Sequence, residues 1–327
     1  MKKTCICIAL RALFFALSVP VYAQLPKKVP TIGLLSALSP AVVSIWVQAF
    51  QRGLRDLGYD EGKNIIIEYR YADGNVDRLS QLAAELVRLK VDVIVTGGAL
   101  TTRRVKEATS VIPIVMAQDA NPVGSGLVTS LARPGGNITG LSFMSPEITG
   151  KRLEILKETV PGLSRVAVLT AARNTTDSET ARELQGAAKA LDVKLQILQG
   201  RNPKEIDGAL TKMTNEQVGA FVVITSPVLS ENRYRILNFA VKNHLPATYP
   251  NESWVESGGL MTYGTNLADL WRRAAIFVDK ILKGTKPADL PVEQPLKFDF
   301  LINLKAAKQI GLTIPPQVLA RADRIIR

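Results

Sequence analysis

The sequence predicts an α/β chain of two lobes, each built on a parallel sheet with helices against it. Three observations lead there. From residue 29 onward, short β-branched runs alternate with amphipathic helical stretches, a spacing that builds parallel sheets covered on both faces. The series runs out near residue 143 and then begins again. The length of 327 residues accommodates two ordinary domains.

The first set opens with a strand over residues 29–35. In the helix that follows, Val43, Trp46, Phe50, Leu54 and Leu57 recur every three or four positions, one face turned to a core. Trp46 belongs to that stripe and reads as a packing residue. Gly58 ends the helix as a left-handed cap. Residues 64–71 alternate and form a second strand. A helix with Val76, Leu79, Leu82, Leu86 and Leu89 on one side follows, capped by Asp73 or Asn75. Strand 91–96 ends at Gly97-Gly98, a short helix covers 101–108, and strands 112–117 and 138–143 close the set. The turn Arg133-Pro134-Gly135-Gly136-Asn137 leads into the last strand. It has the look of a phosphate cradle, but its proline suits a bend better.

The second set reads helix 146–160, strand 165–169, helix 176–191, strand 193–198 and helix 203–214. Strand 220–224, helix 230–243 and strand 247–249 follow. A long helix over 267–282 then ends at Lys283-Gly284, and a tail carries a strand near 298–302 and a helix from Asn303. The expected division is a first lobe over 29–141 completed by 264–296, and a second over 142–263 completed by 297–327.

The N-terminus reads as an address. Lys2 and Lys3 precede an apolar run over residues 5–19, and Val21-Tyr22-Ala23 offers a cleavage site, the three parts of a secretory signal. The run is interrupted by Arg11 and is shorter than the ~20 apolar residues that span a bilayer. Residues 1–23 are therefore expected to be a signal peptide, cleaved after Ala23, with the mature chain in the periplasm. Cys5 and Cys7, the only cysteines, lie inside it. The remainder can form neither a disulfide nor a thiolate metal site.

The formal charge is +12. The basic residues are scattered among acids with no run of like charge, which reads as a solvated surface and not a nucleic-acid footprint. Enzyme chemistry finds little support. His244 is the only histidine and sits at a helix end, where a cation is favourable. No G-x-S-x-G elbow, Walker loop or G-x-G-x-x-G after a strand occurs. No catalytic residue, metal or cofactor is expected.

Several segments carry a family resemblance. They are Leu54-Arg55-Asp56-Leu57-Gly58-Tyr59, with its continuation to Asn64, and Glu68-Tyr69-Arg70. Arg133-Pro134-Gly135-Gly136-Asn137-Ile138-Thr139-Gly140 and Lys151-Arg152-Leu153-Glu154 come next. Gly258-Gly259-Leu260-Met261-Thr262-Tyr263-Gly264, residues 281–295 and Ile302-Asn303-Leu304-Lys305 complete the series. In this order they resemble the ABC-transporter substrate-binding proteins grouped with tryptophan- and tyrosine-binding proteins, on the type I periplasmic-binding fold. The segments are mostly turns and packing elements. The resemblance implies two Rossmann-like lobes joined by crossing segments, a small-molecule solute in the interlobe cleft and an ABC permease as membrane partner. An amino acid is among the solutes it suggests. The expected state is a monomer that binds no nucleic acid.

In open α/β sheets, ligands sit beyond the carboxyl ends of the strands, where helix N-termini offer free amides. That rule selects Ser36, Thr96, Gly97, Gly98, Gln118 and Asp119 in the first lobe. In the second it selects Asn174, Thr175, Thr225, Ser226, Tyr249 and Glu252, with Tyr263 at the return crossing. Hydroxyls and glycine amides suit a carboxylate or hydroxyl-rich solute. Asp119 suits an ammonium group, and Tyr249 or Tyr263 could stack on an apolar ring. Each has a plainer reading: Ser36, Asn174 and Ser226 as helix caps, Gly97-Gly98 as a tight turn, Asp119 as the partner of an arginine. Trp254 and Trp271 are left unassigned. The competing functions are a ligand-sensing module of the same fold and, less favoured, a secreted hydrolase.

Overall fold

A computed structural model describes residues 28–143, 146–171, 179–295 and 298–327. The expected signal peptide and the candidates Asn174 and Thr175 lie outside the described residues.

The first sheet holds β1 (Thr31–Ser36), β2 (Ile66–Tyr71), β3 (Val93–Gly97), β4 (Ile114–Gln118) and β5 (Ile138–Gly140), in the order β2-β1-β3-β4-β5. All four pairings are parallel. Between these strands run α1 (Pro40–Asp56), α2 (Leu79–Arg88) and α3 (Ala99–Ala108). In α1, Pro40 occupies the first turn, where a missing N–H costs nothing. Val43, Trp46, Phe50 and Leu54 are buried along one face, as their spacing requires. Gly58, at φ 86°, closes it in the left-handed region.

The second sheet takes up the chain after α4 (Pro146–Thr159). Its strands are β6 (Arg165–Thr170), β7 (Lys194–Gln199), β8 (Ala220–Val223), β9 (Ala247–Thr248), β10 (Met261–Thr265), β11 (Phe298–Asn303) and β12 (Arg324–Ile326). Their order is β12-β11-β10-β9-β8-β6-β7, so β6 to β10 repeat the order of the first sheet and two more strands extend its edge. Here the structure departs from an all-parallel expectation: β10 and β11 run antiparallel, Met261 opposite Ile302 and Thr265 opposite Phe298. The helices are α5 (Glu179–Ala190), α6 (Pro203–Asn215), α7 (Pro227–Glu231), α8 (Arg233–Lys242), α9 (Glu252–Glu256), α10 (Leu267–Leu282), α11 (Leu304–Gln309) and α12 (Pro316–Leu319). The single helix expected over 230–243 is two, broken at Asn232, whose ψ of 16° leaves the helical region. The short α9 and β12 were not expected.

Buried side chains form separate clusters for the two sheets. Ile32, Leu34, Val93, Val95 and Val115 pack on one face of the first sheet, with Trp46, Phe50 and Leu54 of α1. Leu35, Ile94 and Met116 pack on the other face with Leu82 and Leu86. The second sheet has its own cluster, centred on Val166, Val168, Phe221 and Val222. Helix α10 follows a strand of the second sheet yet packs on the first, where Leu270, Trp271, Ala274 and Val278 join the α1 face. A Cβ on Gly53 would stand 2.2 Å from the Arg272 carbonyl, so only glycine lets α1 and α10 approach this closely. Glu293 then bonds Gly140 at the edge of the first sheet before β11 returns to the second. The chain therefore passes between the sheets after β5, after β10 and before β11. No helix among the described residues is long and apolar enough to cross a membrane.

Candidate functional site

Both sheets present the carboxyl ends of their strands to one cavity. It is partly enclosed and partly open to solvent, and its lining is mostly apolar with a few polar groups, as small-ligand sites are. From the first sheet come Ser36 after β1, Gly97 and Gly98 after β3, and Gln118 ending β4. From the second come Thr225 and Ser226 after β8, and Asn251 after β9. In a 2-1-3-4-5 sheet the topological switch falls between strands one and three, where ligands settle. Ser36 and Gly97-Gly98 occupy that point.

The first-lobe wall is aromatic. Trp46 and Trp271 both line the cavity, with ring centroids 6.5 Å apart and planes 20° from parallel. Their indole N–H groups point to fixed acceptors: Trp46 donates to Glu252 Oε1 at 3.0 Å, and Trp271 to Gln118 Oε1 at 3.2 Å. A Cβ on Gly97 would sit 2.8 Å from Cζ2 of Trp271, so the glycine makes room for the ring. Gly98, at φ 89°, starts α3 in a conformation that other residues rarely adopt.

The second-lobe wall carries the charge. Arg152 is 6% exposed and is the one charged side chain among the described residues lining the cavity. Its Nε donates to the Tyr263 carbonyl at 2.7 Å and its Nη2 to the Pro250 carbonyl. Burial pulls its pKa down to about 10, so it stays a cation at neutral pH. No carboxylate among the described residues offsets that burial. A buried cation with only carbonyl partners is costly, and a ligand anion would relieve the cost. Thr265 Oγ1, buried and without a hydrogen-bond partner among the described residues, belongs to the same lining.

Six of the sequence candidates, Ser36, Gly97, Gly98, Gln118, Thr225 and Ser226, come together on this cavity. The others that are described stand behind it. Thr96 is buried and shares a 2.7 Å hydrogen bond with Thr102, tying β3 to α3. Asp119 is fully buried; its Oδ1 accepts the Asn121 N–H at 3.0 Å and its Oδ2 has no partner among the described residues. Burial, against weaker pulls from the Asn121 N–H and then Arg103, pushes Asp119 up to about 6. Asp119 is not among the residues that line the cavity. Nor does Tyr249 offer a ring to it: the side chain is 1% exposed, stacked on Trp254 with centroids 5.3 Å apart in the second core. Tyr263 contributes its carbonyl to Arg152, while its ring packs on Phe298 and Phe300. Glu252 stands behind Trp46. Ser36 and Ser226 are not the side-chain caps of the plainer reading: Ser36 Oγ accepts the Leu38 N–H at 3.0 Å, and Ser226 makes no cap hydrogen bond to α7.

Sequence reasoning missed Arg152, Trp271 and the second role of Trp46 as cavity lining. Arg152 had a signal: it lies on one stripe of α4 with Ile148, Leu156 and Thr159, all buried. A cation in an apolar stripe needs a reason. Trp46 is core-packed as its period says and also forms cavity wall, which periodicity cannot distinguish.

At the rim the lobes touch directly. Glu231, closing α7, accepts the Ser39 backbone N–H at 2.6 Å and its hydroxyl at 2.8 Å. The neighbours of this pair, Leu38 and Ser230, line the cavity.

Comparison with known proteins agrees with this architecture. A family model described as ABC transporter substrate binding protein matches residues 31–326. The chain is 25% identical over 287 residues to a tyrosine-binding protein of Clostridioides difficile (strain R20291), covering 88% of this chain and 82% of that one. A solved conserved domain protein from Vibrio cholerae superposes with TM-score 0.82 at 28% identity, over 91% of this chain and 100% of that one. An ABC domain from Streptococcus pneumoniae in complex with L-Trp gives 0.81 at 25% identity, over 91% and 99%. With two such lobes facing one cleft on the type I periplasmic-binding fold, and with nearly all of its described length matched, the chain belongs to the ABC transporter substrate-binding protein family.

Proposed function

We propose that this protein is the extracytoplasmic solute receptor of an ABC importer, and that its solute is a small carboxylate with a flat apolar side group, an aromatic amino acid in particular. The observation that carries the reading is Arg152, a buried cation on the cavity wall with no acidic partner among the described residues. It faces a chamber whose opposite wall is two indoles. A solute carboxylate supplies the missing charge, and charge-assisted bonds to a guanidinium are the strong kind. The amides that follow β3 and the hydroxyls of Ser36, Thr225 and Thr265 add donors around it. Gln118 Oε1 and Ser36 Oγ, each already holding one N–H, keep a second lone pair that can take an ammonium proton. The two relatives whose names mention tyrosine or L-Trp point to the same chemistry.

The mechanism is that of a clamp. The solute docks on one lobe and the other closes over it, removing it from water and strengthening its contacts with Arg152. The closed shape is what a membrane permease reads. Export through cleavage after Ala23, a periplasmic location, a monomeric state and binding without turnover complete the proposal. Native mass spectrometry of the freshly purified protein tests it. The expected spectrum holds a one-to-one adduct of amino-acid mass that L-tyrosine or L-tryptophan displaces. A ligand-free chain whose melting none of the twenty amino acids alters would overturn the solute class.

A further inference from the structure

We propose that Glu252 is a positioning residue that sets the aromatic preference of the cleft by fixing the indole of Trp46 from behind. Its carboxylate is 6% exposed and accepts the Trp46 Nε1–H at 3.0 Å and the Ala268 N–H at 3.1 Å. One acid therefore ties three elements together: α1, which carries Trp46; its own helix α9 in the second lobe; and the first turn of α10, which carries Trp271 three residues on. A carboxylate at the N-terminus of a sixteen-residue helix is well placed electrostatically. Two such donors lock it, and it in turn locks the ring.

A ring held by packing alone can slide or tilt to meet a smaller solute. Trp46 has two restraints besides packing: its bond to Glu252 and its neighbour Trp271, which Gln118 holds in the same way. The wall is thereby pre-formed for a flat group, with no ordering cost on binding. A branched aliphatic side chain cannot match two near-parallel rings, and the fixed wall cannot move to meet it. Removing Glu252 leaves the indole N–H without its acceptor and frees the ring, so the loss falls on aromatic solutes.

The affinity part rests on the proposed function; the immobilisation part does not. The test compares wild type, Glu252→Ala and Glu252→Gln. L-tryptophan, L-tyrosine and L-leucine are titrated by calorimetry, and near-ultraviolet circular dichroism reads the indoles. The expected result for Glu252→Ala is a fall of about tenfold or more in affinity for the aromatic pair. L-leucine should change less than threefold, and the indole dichroism should weaken in a chain that keeps its far-ultraviolet spectrum. Glu252→Gln, which retains an acceptor oxygen, should recover most of both. An unchanged ratio of aromatic to leucine affinity in folded Glu252→Ala would overturn the proposal. Should wild type bind none of the three probes, the proposed solute class fails and the dichroism decides alone: weakened indole bands in Glu252→Ala support the tie, unchanged bands overturn it.

Discussion

The two walls of the cleft solve different problems. The first-lobe wall is apolar and rigid: two tryptophans, each with its N–H on a buried or half-buried acceptor, and a glycine that admits one of them. The second-lobe wall is polar and electrostatically incomplete: a buried arginine held by two carbonyls, and a threonine hydroxyl with no partner among the described residues. One wall is complete without a solute; on the proposed function, the other gains its counter-charge from the solute. Shape selection should therefore reside in the first lobe and the larger share of binding energy in the second.

The sharpest way to break that contrast is Arg152→Met. Truncating one side of a buried, hydrogen-bonded charge pair costs about 2–5 kcal/mol, so calorimetry should show affinity for a carboxylate solute falling by about thirtyfold or more. Arg152→Lys keeps the charge without the planar fork and should recover only part. Equal affinity in wild type and Arg152→Met would move the binding energy off the second lobe.

Asp119 tests the first lobe from within. Its ordinary pKa of 3.8 is raised to about 6 in the fold. Between those values the unfolded chain is ionised while the folded one keeps the proton, so stability falls as pH rises through the window and the penalty is complete above pH 6. Asp119→Asn should therefore raise stability at pH 8 by about 2–3 kcal/mol and change little at pH 4. Denaturant melts at the two pH values check it. A solute ammonium resting on Asp119 would instead make that variant lose affinity.

Gly97→Ala probes shape alone. The added methyl meets the far edge of the Trp271 ring at 2.8 Å, and overpacking of this kind costs about 1–3 kcal/mol. Aromatic affinity should drop about tenfold, with near-ultraviolet dichroism reporting the displaced indole. The smallest effect is expected at the rim. Glu231→Ala removes both bonds to Ser39, and stopped-flow fluorescence should show solute release accelerated about fivefold, the equivalent of about 1 kcal/mol.

How much of this was legible in the sequence follows the same division. The strand–helix alternation showed in periodicity and turns, because burial on a parallel sheet writes itself into β-branched runs and helical stripes. The antiparallel β11 did not, since strand direction leaves no mark on a six-residue run. The strand-end rule found Ser36, Gly97, Gly98, Gln118, Thr225 and Ser226, whose place on the cavity follows from backbone position. Tyr249 and Asp119, which it also selected, stand buried behind the lining, Tyr249 within the second core. It could not find Arg152 or Trp271, which lie on helices and reach the cleft only because α4 and α10 pack where they do. Side-chain direction and long-range packing are tertiary facts, and one linear pattern does not hold them.

The central claim is that the solute brings the negative charge this site lacks. The direct measurement is thermal melting of the wild-type protein with L-tryptophan beside tryptamine, and with L-tyrosine beside tyramine, each amine keeping the ring and ammonium but not the carboxylate. The account predicts a saturable rise in melting temperature with the amino acids and none with the amines at equal concentration. Amines that stabilise as well as the amino acids would contradict it.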